Sequence, residues 1–222
     1  MIKIDDHLIM FPWRSANANN CNCYLIDGPK RVLIDPGHKH LFDHVRNGLS
    51  HLDLSIDDID VVLCTHAHPD HIESVQLFRE TRTLVAIHEA EWQFVQSVDR
   101  YIRASFGVGA DAITPDLLLC DGTFSIGGID LTILHTPGHS PGSMSIFWPE
   151  TGALFTGDVI FREGLGRTDL PGGNGDRLKE SIRALSAMEA RCLLPGHGDI
   201  VKGFDAVTSN FDNVENYWFA YI

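Results

Sequence analysis

Short apolar runs, broken by polar and glycine-bearing turns, alternate along this chain with stretches of helical spacing. Tyr24-Leu25-Ile26 and Val32-Leu33-Ile34-Asp35 flank Asp27-Gly28-Pro29-Lys30, which predicts a hairpin. Phe42 to Leu52 has helical spacing, and Val61-Val62-Leu63-Cys64 predicts a buried strand that runs straight into a histidine-rich segment. The spacing predicts a helix over 72–80, a strand over Leu84 to Ile87 and a helix from Glu89 to Phe106, stopped by Gly107-Val108-Gly109. That helix carries Trp92, Phe94, Tyr101 and Phe106, which serve either as core or as a lid over a small pocket. Strands are expected again at Asp130 to Leu134, Ser143 to Trp148, Ala153 to Thr156 and Cys192 to Leu194. Helices are expected at Leu178 to Met188 and Val207 to Tyr217. Strands interleaved with helices, without a linker or low-complexity tract, predict a single mixed α/β domain over residues 1–222.

Four of these apolar strands end in a loop bearing Gly or His: after Cys64, Leu134, Thr156 and Leu194. Residues on loops at one end of a sheet converge in space although far apart in sequence. The first loop, Thr65-His66-Ala67-His68-Pro69-Asp70-His71, places three imidazoles and a carboxylate within six residues. Neutral imidazole and carboxylate are the donors that zinc takes, and they also suit iron and manganese. Positions 66 and 68 are expected to point one way and 70 and 71 another, so one segment can serve two ions. His139 lies in Thr136-Pro137-Gly138-His139-Ser140-Pro141-Gly142-Ser143, Asp158 in Phe155-Thr156-Gly157-Asp158, and His197 in Pro195-Gly196-His197-Gly198. A carboxylate at the end of a buried strand is costly unless paired or metal-bound. The other histidines, His7, His38, His40, His44, His51, His88 and His135, lack that context and are expected to be structural. His38, after Asp35-Pro36-Gly37, is placed to line the pocket.

With these segments in this order, the chain resembles the metallo-β-lactamase superfamily over essentially its whole length, and is most similar to its glyoxalase II-type hydrolases. The resemblance implies an α/β (α+β) fold, an αββα sandwich, and two divalent ions, zinc first, with iron or manganese as alternatives. It implies that His66, His68 and His139 hold one metal, that Asp70, His71 and His197 hold the other, and that Asp158 bridges them. Asp35 resembles the acidic residue behind the first ligands, which orients a histidine, and Thr65 belongs beside it. A water between the metals would ionise near neutral pH and attack an acyl carbon, with Asp70 orienting it. A thioester is the expected substrate, since its leaving group needs little protonation. Gly164-Leu165-Gly166-Arg167-Thr168-Asp169 resembles a segment of compact bacterial glyoxalase II-like proteins and of persulfide dioxygenases. Arg167 is expected to brace the loop through Asp169, or else to meet an anionic substrate. The dioxygenase alternative would hold a single iron with His66, His139 and Asp158. Only 25 residues follow His197, with Lys202 the sole basic one, so a substrate smaller than lactoylglutathione is expected.

Charge narrows the partners. With 17 basic and 30 acidic residues, the formal charge of -13 disfavours nucleic acid and anionic membrane surfaces, leaving a small-molecule substrate and room for a homo-oligomer. The start reads as neither signal peptide nor membrane span, so the expected location is the cytoplasm. Cys21, Cys23, Cys64, Cys120 and Cys192 form no Cys-x-x-Cys pair, and Cys21 and Cys23 are expected to be small buried residues on one face of a strand.

Overall fold

The computed structural model describes residues 1–15, 17–100 and 109–222. Contacts group these residues into two units, residues 1–119 with 126–129, and residues 120–125 with 130–222.

The first unit carries a seven-stranded sheet whose spatial order is its chain order: β1 (Ile2–Lys3), β2 (Leu8–Phe11), β3 (Cys23–Ile26), β4 (Val32–Ile34), β5 (Val61–Cys64), β6 (Leu84–His88) and β7 (Leu117–Leu119). The predicted hairpin is β3–β4, with Tyr24 opposite Ile34. From β4 onward the pairing is parallel, which requires crossovers over a face of the sheet. Alternate residues of β2 to β6 (Ile9, Phe11, Leu25, Leu33, Val62, Val85, Ile87) share one cluster with helical residues. Val45 and Leu49 come from α1 (Asp43–Ser50) and Val95 from α3 (Glu89–Ser97). The residues between them, including Met10, Tyr24, Ile34 and Leu63, are buried as well, so both faces of the sheet are covered. This is why these strands read as continuous apolar runs rather than alternating ones.

The second unit carries a six-stranded sheet. Its order is β15 (Val201–Lys202), β14 (Cys192–Pro195), β11 (Ala153–Gly157), β10 (Met144–Trp148), β9 (Ile129–His135) and β8 (Gly122–Ile126). A small hairpin, β12 (Ile160–Phe161) with β13 (Gly164–Leu165), follows β11. Phe147, Leu154 and Leu193 pack with Leu178, Ile182 and Leu185 of α4 (Gly175–Ser186) and with Val207, Phe211 and Val214 of α5 (Phe204–Trp218). The result is a mixed α/β chain with two sheets flanked by helices, as the resemblance implied.

Three expectations need correction. The helix expected over 72–80 begins earlier and is tighter. Pro69–Ile72 forms a single α-turn, α2, and Glu73–Phe78 continues as a 3-10 helix. Pro69 starts that turn because its fixed φ suits a first helical position. The helix expected from Glu89 to Phe106 runs as α3 to Ser97, breaks at the turn residue Val98 and is helical again at Asp99 and Arg100; residues 101–108, which include Tyr101, Phe106, Gly107 and Val108, lie outside the described residues. Cys21 precedes β3 rather than sharing it with Cys23, although both are buried. Among the described residues, no helix is long and apolar enough to cross a membrane.

Candidate metal centre

In the first unit, the parallel strands β4, β5 and β6 deliver their loops to the same sheet edge, where α/β sheets carry their chemistry. The loop after β4 begins with Asp35, and the loop after β5 is the histidine-rich segment. Asp35 is buried in the left-handed region at φ 52°, a conformation that a short polar side chain tolerates. Its carboxylate accepts from Thr65 N at 2.7 Å, Thr65 Oγ1 at 2.7 Å and His71 Nδ1 at 2.9 Å. Thr65 Oγ1 lies 3.1 Å from His66 Nδ1. Because the Thr65 hydroxyl gives its proton to Asp35, its oxygen accepts from His66. Asp35 thus fixes both imidazoles with the proton on Nδ1 and the lone pair on Nε2. That is the outer-shell arrangement of metal-binding histidines.

The motif itself folds into the α2 turn, with His71 N and Ile72 N both donating to His68 O. The rings cluster: His66 lies 4.1 Å from His71 and 4.7 Å from His68, centroid to centroid. Positions 66 and 71 therefore neighbour each other rather than diverging, because the helical turn brings His71 back over the extended start of the loop.

In the second unit, β9, β11 and β14 run in one direction, being related by two antiparallel pairings and one parallel. The loops after them carry His139, Asp158 and His197. The β11–β14 register slips between Phe155 and Gly157, and Gly196 N donates to Gly157 O at 2.8 Å, which ties the second and third loops together. Asp158 Oδ2 lies 3.5 Å from His139 Nε2 and 3.3 Å from His197 Nε2. His139 Nδ1 donates to Arg167 O at 2.7 Å, so its Nε2 also carries the lone pair. Gly166 makes this possible, since a Cβ there would fall onto the Asp158 carbonyl oxygen and crowd His139 Nδ1. Two imidazoles and a carboxylate gathered at this separation form a donor set that fits a divalent metal ion.

Arg167 itself makes a two-pronged fork to Asp169, Nε to Oδ1 and NH2 to Oδ2, each at 2.7 Å. The guanidinium holds the Asp169 carboxyl down from 3.8 to about 2. A lowered pKa means that the pair's contribution is present above about pH 4 and is lost as pH falls through about 2. The expected result is a carbon-NMR titration of Asp169 with its midpoint near 2, returning towards 4 in Arg167→Ala. A wild-type midpoint near 4 would show that the fork does not form in solution.

Two further residues at the site carry no signal in the pattern of the chain. Asn19 donates through Nδ2 to Asp70 Oδ2 at 2.6 Å. Glu91, buried in α3, accepts from Ala67 N at 2.8 Å and so pins the backbone between His66 and His68. Five of the remaining histidines have structural uses. His7, His44, His51 and His135 place a ring nitrogen on a backbone carbonyl. His88 Nδ1 accepts from Ala90 N and caps α3. His38 and His40 face Glu73 instead of the metal loop. Burial, and then the neighbouring charge of Asp35, pushes the Cys23 and Cys64 thiols well above their usual range, so neither supplies a thiolate ligand.

The family model for the metallo-beta-lactamase superfamily matches residues 16–201. The chain belongs to that superfamily. A probable metallo-hydrolase of Methanocaldococcus jannaschii is 36% identical over 185 residues, which are 81% of this chain and 88% of that relative. The hydroxyacylglutathione hydrolase GloC of Haemophilus influenzae is 30% identical over 191 residues, 83% of this chain and 87% of its own length. A crystal structure in a di-iron-bound form superposes with a TM-score of 0.68 at 30% identity, covering 86% of this chain and 93% of that one. Membership in this metallo-hydrolase superfamily, together with the candidate metal-binding His/Asp clusters, supports a hydrolase and implies a small-molecule substrate.

Proposed function

We propose that residues 1–222 act as one domain that hydrolyses small acyl substrates, thioesters first, with two divalent ions, most readily zinc. His66, His68 and His139 would hold one ion and Asp70, His71 and His197 the other, with Asp158 reaching both. The observation that carries this is the shared tautomer: His66, His71 and His139 all spend Nδ1 on a fixed partner and present Nε2. Bound divalent ions supply Lewis acidity, which polarises a carbonyl and acidifies water. The chain's own groups do the positioning. Asp35 keeps the proton on His71 Nδ1, and the Arg167 carbonyl keeps it on His139 Nδ1. Asn19 fixes the Asp70 carboxylate through Oδ2, and that carboxylate would hold its ion, orient the attacking water and pass on its proton. The thiol leaving group departs as a thiolate and needs no acid. The name of the Haemophilus relative supports a thioester, and the di-iron structure keeps iron as an alternative to zinc.

The test is thiol release from short S-acyl thioesters by metal-depleted protein reloaded with zinc, iron or manganese. Metal-dependent release is expected. No release with any of the three, together with oxygen uptake on a persulfide by the iron-loaded protein, would replace the hydrolase with the mononuclear dioxygenase reading.

A further inference from the structure

A second group of ligating side chains lies outside the centre described above, wholly within the first unit. His38 follows β4, His40 sits in the 3-10 turn Lys39–Leu41, and Glu73 opens the 3-10 helix after α2. One ligand atom from each of the three lies within 4.8 Å of the others. Glu73 Oε2 is 2.9 Å from His38 Nδ1 and 3.9 Å from His40 Nδ1, and the two rings are 5.1 Å apart.

Two features distinguish this group from a chance surface ion pair. It is built on fixed backbone: His38 N donates to Asn20 Oδ1 at 2.8 Å, and Lys39 N donates to Glu73 Oε2 at 3.0 Å. The lysine between the two histidines also turns its ammonium away, to Gln76 Oε1 at 3.3 Å, so its charge is not spent on Glu73. His38 and Glu73 side chains are 21% exposed and His40 is 69% exposed, which leaves one solvent-facing ligand and open access to the group.

We propose that His38, His40 and Glu73 form an accessory surface site for a borderline divalent cation such as Zn²⁺. Two imidazoles and one carboxylate with open positions suit zinc, copper and nickel, and suit calcium and magnesium poorly. Binding puts the cation where the proton between His38 Nδ1 and Glu73 Oε2 lies, and that proton shifts to His38 Nε2. The site clamps two segments that also brace His71, since Gly37 N donates to His71 O and Ser74 N donates to Gly37 O.

The test is equilibrium dialysis of full-length, metal-depleted protein against Zn²⁺, comparing the wild type with His40→Ala, Glu73→Gln and Asp158→Ala. The wild type is expected to bind one equivalent more than His40→Ala or Glu73→Gln, with thioester hydrolysis by His40→Ala unchanged. Glu73→Gln keeps an oxygen for Lys39 N, so its loss reports the ligand and not the fold. Asp158→Ala is expected to keep the His40-dependent equivalent, which separates this site from the proposed catalytic one. Equal zinc equivalents in the wild type and His40→Ala would overturn the site, whatever the total.

Discussion

Asp35→Ala is expected to destabilise the protein by about 3–5 kcal/mol, because it strips three donors from a buried carboxylate at once. Thr65 N, Thr65 Oγ1 and His71 Nδ1 would each be left in a site to which water has little access. Alanine would also occupy the left-handed region at φ 52°, at a cost of about 1 kcal/mol. Asp35→Asn separates these contributions. Asparagine tolerates that backbone and keeps one acceptor oxygen, so its loss should be roughly half as large. His71 would still lose its charged anchor, and zinc affinity should fall by about 10–100-fold. Urea denaturation of metal-depleted protein measures the stability, and competition with a chelating dye measures the affinity. A change in unfolding free energy under about 1 kcal/mol for Asp35→Ala would show that the buried network is not formed.

Asp158→Ala is expected to remove activity together with the metal of the proposed catalytic centre. The carboxylate lies between His139 and His197 and is the residue assigned to both ions. The surrounding backbone bonds, Val159 N to Thr156 O and Gly196 N to Gly157 O, do not use its side chain, so the fold should persist. Thioester cleavage should fall by about 10³-fold or more, corresponding to roughly 4 kcal/mol of lost stabilisation. Circular dichroism should be unchanged. Arg167→Ala, which leaves the carbonyl that holds His139 in place, should keep its metal. Full metal occupancy in Asp158→Ala would remove Asp158 from the ligand set.

The strands nearest the chemistry were legible because they are buried on both faces. Val61–Cys64, Ala153–Gly157 and Cys192–Pro195 appear as unbroken apolar runs, each followed by a polar loop. The short and partly exposed strands carried no such signal. Leu117–Leu119 is a three-residue partner of β6, half exposed, and Gly122–Ile126 opens on a glycine and is largely exposed. What makes them strands is pairing with neighbours, which local pattern does not report. The candidate site divides in the same way. Its ligand candidates announce themselves because imidazole and carboxylate at close spacing are chemically unusual. Their supports do not: Asn19 meets Asp70 across 51 residues, and Glu91 meets Ala67 across 24, both through ordinary polar side chains. Asp35 was visible only through its resemblance to a family motif; its three hydrogen bonds show the physical reason for it.

A dinuclear centre is read from the number of tightly bound metal ions per chain, by elemental analysis of His40→Ala protein purified without added metal or chelator. That background leaves the proposed catalytic centre alone. Close to two ions per chain, as zinc or as a mixture with iron or manganese, is the predicted result. Close to one iron per chain, or no metal at all, would contradict it.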